Sequence, residues 1–129
     1  GILDFDKNSI MKSIDSGYCE CMKVFGKYKG TYFYFYRDSY EYAMSRFGAE
    51  IIKGIESAAK MLKIYPYKAY NVEQLIRLVL SKYESNKALS RLVSFMQKED
   101  HNLIHEKLDL LGKYFDAANA VVYFSKYYA

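Results

Sequence analysis

His101 and His105 are the only histidines in the chain and stand four residues apart in His101-Asn102-Leu103-Ile104-His105. On a helix this spacing puts both imidazoles on one face, one turn apart, and Asp109 continues the row. A pair at i and i+4 suits zinc geometry, but a zinc protease of this pattern needs Glu at the second position, which is Asn102 here. With no third ligand in view, the expectation is no metal and no cofactor, and His101 reads as a packed, hydrogen-bonded side chain at the start of the last helix. That helix start also carries free N–H groups and the positive end of the dipole, which favour an anion. Lys98 and Lys107 reach the same end, so Lys98, His101, His105 and Lys107 form the expected ligand-binding set. His101 and His105 are also the groups best suited to acid–base work near neutral pH.

Other chemistry is thinly supplied. Cys19 and Cys21 point in different directions on a helix, are two ligands short of a metal site, and read as reduced thiols of a cytoplasmic protein. No Gly-rich phosphate loop and no Ser/His/Asp or Cys/His set is present. Lysines interleave with tyrosines in Lys27-Tyr28-Lys29, in Tyr65-Pro66-Tyr67-Lys68-Ala69-Tyr70 and in Lys126-Tyr127-Tyr128. Such groups stack on bases while pairing phosphates, provided that folding gathers them. Otherwise each tyrosine sits at a helix end with its ring covered and its hydroxyl wet. Lys53, Glu56, Lys60 and Lys63 share one side of a helix, with Glu56 and Lys60 as an i, i+4 pair, and read as a solvated face.

The elements that must position these residues are helical. At 129 residues, with 51% hydrophobic content, one proline and seven glycines, residues 1–129 form one domain able to bury its own core. A net charge of +4 permits contact with phosphate without requiring it. No stretch is long and apolar enough to span a membrane, and the first residues do not resemble a secretory signal. Asp6 or Asn8 caps a first helix whose apolar stripe is Ile10, Ile14, Tyr18, Cys21/Met22 and Phe25, with Gly26 or Gly30 ending it. Residues 31–36, Thr-Tyr-Phe-Tyr-Phe-Tyr, favour a strand by propensity but have no second β-like run to pair with. They read as a buried loop or an early turn of the next helix.

Asp38 and Glu41 resemble a capping box for a helix of about 25 residues, with Ala43, Phe47, Ile51, Ile55, Ala58 and Leu62 facing inward. Gly48 and Gly54 fall inside it, tolerable where a neighbouring helix comes close. After the break at Pro66, Asn71 caps a third helix with Leu75, Ile76, Val79 and Leu80. A short helix carries Leu89, Leu92, Val93 and Met96. The last helix has its seam at Ile104, Leu108, Leu111, Phe115, Ala118 and Val122, spaced 4, 3, 4, 3 and 4. The expected class is all-α, a four- to five-helix antiparallel bundle.

The run 49–63, the short amphipathic segment Asn71-Val72-Glu73-Gln74-Leu75-Ile76, and a closing helix with Ala117-Ala118 and a tyrosine-rich tail together resemble the HEPN superfamily of helical bundles. The resemblance spans roughly residues 39–129. It implies a homodimer and frequent association with a minimal nucleotidyltransferase. Active HEPN ribonucleases carry an arginine five to seven residues before a histidine. Here positions 94–96 are Ser, Phe and Met, and positions 98–100 are Lys, Glu and Asp. Where many members have His-Asp-Leu, this chain has Tyr70-Asn71-Val72. The resemblance therefore implies a non-catalytic module that docks a nucleotidyltransferase or a nucleotide ligand. The alternatives are a HEPN-type ribonuclease acting through His101 and His105, with RNA as substrate, and a purely structural subunit of a larger assembly.

Overall fold

Gly48 divides what the apolar spacing reads as one long helix. Its φ of 88° and ψ of 161° lie where only glycine sits without strain, so helix α2 (Arg37–Phe47) stops there and α3 (Ala49–Met61) starts in a new direction. The computed structural model describes residues 6–98 and 104–129, with the backbone alone at 104–111 and 113. The other elements are α1 (Lys7–Val24), α4 (Val72–Lys82), a 3₁₀ turn (Tyr83–Ser85), α5 (Lys87–Gln97), α6 (Ile104–Tyr127) and three short strands. The described residues thus hold six α-helices rather than four or five.

The fold leans all-α as expected, with a small sheet that the expectation lacked. β2 (Tyr34–Tyr36) pairs antiparallel with β1 (Tyr28–Lys29), Tyr28 opposite Tyr36, and parallel with β3 (Ala69–Tyr70), Phe35 opposite Tyr70. The run at 31–36 does find partners, but each is two residues long and has no periodicity of its own to read. The fold is mostly helical, with a small three-stranded sheet.

The core lies between α3, α4, α5 and α6. Ile52, Ile55, Ala58 and Ala59 of α3 meet Leu75, Ile76 and Val79 of α4, Leu89, Leu92 and Val93 of α5, and the buried side of α6. Each fully buried Leu or Ile contributes roughly 1.5–3 kcal/mol. Among the described side chains of α6 the buried ones are Ala117, Ala118, Ala120, Val121 and Phe124; of the expected seam Ala118 is buried and Val122 half-buried, whereas Phe115 is exposed. The small side chains explain the shift. A Cβ on Gly54 would stand 2.4 Å from the Asp116 carbonyl oxygen and 2.9 Å from the Ala120 Cβ, so α3 and α6 cross almost backbone to backbone. Alanines carry little weight in a hydrophobic pattern, yet they are what this crossing needs. Ile104, Leu108 and Leu111 have side chains outside the described residues.

Helix ends follow local chemistry. Asp6 Oδ1 accepts the Asn8 N–H at 3.0 Å, and Asn86 Oδ1 accepts the Leu89 N–H at 3.0 Å. Asn71 and Gln74 form a reciprocal capping box, with Gln74 Oε1 accepting the Asn71 N–H at 2.9 Å. Asp38 does not cap, because strand β2 runs directly into α2 at Arg37.

The first helix is oriented against expectation. Among its side chains only Cys19 is buried, whereas Ile10, Ile14, Tyr18 and Phe25 are exposed. Its polar side faces the body instead: Tyr65 donates to Asp15 Oδ2 at 2.6 Å, Tyr34 donates to Glu20, and Lys23 Nζ donates to the Gly30 carbonyl at 3.2 Å. Periodicity shows that a helix has two sides, not which of them meets the domain. Cys19 and Cys21 are both free thiols, the second exposed. Among the described residues no helix is long and apolar enough to cross a membrane.

Candidate functional site: a tyrosine–lysine groove

The site is built over a buried carboxylate. Gly30 takes φ +137°, and a Cβ there would stand 2.1 Å from the Phe33 carbonyl oxygen, so the chain after β1 folds tightly back over α3. The N–H groups of Thr31, Tyr32 and Phe33 then converge on Glu56 Oε1 at 3.0, 2.8 and 2.9 Å. Glu56 is fully buried, and among the described residues its Oε2 has no hydrogen-bond partner. Burial pushes the Glu56 carboxyl above its usual range, opposed by the three amides, which favour the ionised form. The sequence reading placed Glu56 on a solvated face paired with Lys60. It is instead the anchor of the 31–33 loop, a role invisible in i, i+4 spacing because the loop lies more than twenty residues upstream.

The anchored loop lays Tyr32 beside the end of α3, where Lys60 Nζ stands 4.7 Å from the Tyr32 ring centroid. α3 closes with a Schellman turn: the Ile64 N–H donates to the Ala59 carbonyl and the Lys63 N–H to the Lys60 carbonyl, both at 3.1 Å. That turn puts Lys63 at φ +57°, the only non-glycine positive φ among the described residues, at a position that most often carries glycine. Between the loop and this turn lies a groove of about 500 Å³ lined by Tyr32, Tyr34, Lys60, Lys63, Pro66 and Tyr67, among others. A second hollow of about 420 Å³ shares Tyr32 and Lys60 with it and is also lined by Ser57, Tyr114 and Asp116. Volumes of this size suit a small ligand.

The far wall is fixed from both ends. The Tyr65 phenol, held by Asp15, has its pKa pushed up to about 12 by that hydrogen bond and by lost solvation. The buried Tyr70 donates to the Tyr65 carbonyl at 2.6 Å. The ring of Tyr67 packs edge-on against Tyr65 at 5.7 Å, and Lys23 Nζ lies 5.9 Å from the Tyr34 ring.

Of the three lysine–tyrosine segments, the sheet draws two together. Lys27-Tyr28-Lys29 enters β1 and Tyr65–Tyr70 leads into β3, on either side of β2, with the Tyr28 and Tyr34 rings 6.3 Å apart. The third lies in a separate hollow, where Arg46 Nε donates to the Tyr127 hydroxyl at 2.9 Å and the Arg77 guanidinium covers Tyr128. Tyr32, Tyr34, Lys60 and Lys63 were missed as a set, because only the tertiary turn at Gly30 brings them together. Their one sequence signal is the aromatic density of 31–36.

The residues expected to bind an anion are placed only in part. Lys98 is exposed at the end of α5, its N–H bonded to the Ser94 and Phe95 carbonyls. The backbone of His105 and Lys107 runs in α6, and their side chains lie outside the described residues, as does His101 altogether. Among the described residues no three His, Cys, Asp or Glu side chains are grouped to hold a metal ion. What the groove offers is flat rings and ammonium groups, the means to hold an aromatic anion. In comparisons with known proteins, no family model, curated protein or solved structure matches the chain.

Proposed function

We propose that this chain is a non-catalytic binding module whose groove between the 31–34 loop and the end of α3 takes a ligand joining a flat base to phosphate, a nucleotide or the end of a single strand. The observation that carries the reading is Lys63, held at a left-handed backbone position beside Lys60 and Tyr32. A strained residue that lines a cavity is a pointer to function. Tyr32 is 42% exposed and offers a ring for stacking, and the two lysines supply charge for phosphate.

The helical pattern of residues 39–129 supports a HEPN-like framework for this module, with a nucleotidyltransferase as the partner that supplies or uses the ligand. Two unpaired thiols suit a cytoplasmic setting. The test is fluorescence anisotropy with a labelled adenine nucleotide and a labelled short single-stranded RNA. Lys60→Ala/Lys63→Ala should weaken binding by at least about tenfold and flatten its salt dependence, as expected when phosphate contacts are lost. Unchanged affinity in the double variant would remove the groove from the function.

A further inference from the structure

Among the described residues, the apolar face of α1 is left uncovered by the fold. Ile10, Met11, Ile14, Tyr18, Val24 and Phe25 are between 44% and 82% exposed. At 100° per residue they fall on one arc of about 140°, turned away from the buried Cys19. They present on the order of 100 Å² each, or roughly 600 Å² together, most of the ~800 Å² per partner that a standard interface covers and at the upper end of the roughly 300–600 Å² of the largest patch on a typical monomer.

Two further observations say what covers it. Met11, Ile14, Tyr18, Cys21 and Phe25 are spaced 3, 4, 3 and 4, the seam of a helix that packs along another helix. Gly17 lies on that arc, toward its Val24 edge, with a helical backbone, and a Cβ there would meet nothing within 4 Å among the described residues. Glycine is the least favourable residue in a helix interior after proline, and none of the described residues requires it at 17. At Gly54 the chain uses a mid-helix glycine to let another helix pass at backbone distance. Gly17 offers the same opening to a helix from outside.

The geometry points to a second copy of this chain, its α1 laid antiparallel on this face about a two-fold axis beside Gly17 and Tyr18. The seam is self-complementary in that arrangement. Met11 of each copy meets Phe25 of the other, a thioether on a ring, and Ile14 meets the Cys21–Met22 step. A lipid surface fits less well. The arc is bordered by Asp15 and Met22 on one side and Ser13 and Glu20 on the other, where an interfacial helix carries lysine and arginine. This inference stands apart from the groove, which lies on the body side of α1.

Sedimentation equilibrium of the full chain over a micromolar series should give a monomer of 15.1 kDa passing to twice that mass. Ile14→Glu and Gly17→Leu should each weaken the association at least about tenfold. Far-UV circular dichroism should stay unchanged, since both sites are exposed. A chain that remains monomeric at about 100 µM overturns the proposal. A dimer indifferent to both substitutions does so too, placing the interface elsewhere. Flotation of the monomer with phosphatidylcholine/phosphatidylserine vesicles, lost in Ile14→Glu, would assign the face to lipid instead.

Discussion

The Glu56 carboxylate accepts the Phe33 amide at 2.9 Å, joining the middle of α3 to the start of the aromatic strand. Replacing Glu56 with Ala leaves three converging amides without an acceptor and should cost about 2–4 kcal/mol in chemical denaturation. Glu56→Gln keeps an acceptor and removes the charge. Because the native carboxyl is raised above its ordinary value near 4.5, the native state holds the proton more tightly than the unfolded chain. The stability this contributes is complete below about pH 4.5 and is lost as pH rises through the native value. The Tm of Glu56→Gln relative to the natural chain should therefore climb between pH 4 and 7. A constant difference across that range would rule out this linkage.

Three glycines should respond differently to the same added methyl group. Gly54→Ala forces a Cβ into the Asp116 carbonyl and should destabilise by about 1–3 kcal/mol or more. Gly48→Ala meets no atom but must adopt φ near +88°, so backbone strain alone should cost about 1–3 kcal/mol. Gly112 lies within α6 with nothing among the described residues near its Cβ position, and Ala there should be neutral or gain up to about 1 kcal/mol. Urea midpoints of the three variants check the order.

Asp15 and Tyr65 tie α1 to the body through a bond that alkali should open. The Tyr65 phenol, pushed up to about 12, stays protonated where ordinary tyrosines near 10 ionise. Stability from this pair is present below about pH 10 and lost as pH rises through about 12. Tyrosine Cζ chemical shifts followed through an alkaline titration should single out Tyr65. Asp15→Asn should move its midpoint back toward 10, and an unchanged midpoint would rule out the hydrogen bond as its cause.

The groove and the start of α6 compete as anion sites. Titrating phosphate while recording amide and histidine ring signals should shift Lys60 and Lys63 first. If the rings of His101 and His105 respond instead, the site is the histidine end of α6. Cleavage of structured RNA that disappears in His101→Ala/His105→Ala would replace the binding module with a nuclease.

The helices were legible wherever apolar residues recur at helical spacing, the more so where a side chain caps the start, as at Asp6 and Asn71. Glycine was ambiguous. Gly48 breaks a helix and Gly54 admits another, and in sequence both are a glycine inside an apolar stripe. The strands were not legible, since a two-residue strand such as Ala69–Tyr70 exists only through its neighbour. Nor was Glu56, whose partners are backbone amides with no side-chain signature. Of the groove, the Tyr65–Tyr70 segment stood out in sequence, whereas Lys60 and Lys63 looked like ordinary solvated charges. Nothing in one-dimensional spacing says that Gly30 turns Tyr32 back over them.

The crossing of α3 and α6 has a consequence for how the chain comes into being. Gly54 sits against Asp116 and Ala120, and Phe124 is fully buried, so the central layer of the core lacks one wall until residues through Phe124 have left the ribosome. The elements made before α6 emerge with the Gly54 side of α3 open to water, the side that α6 later covers. Folding of this core therefore waits for α6 rather than proceeding helix by helix. A nascent chain stalled before α6 is the species with most to gain from a chaperone.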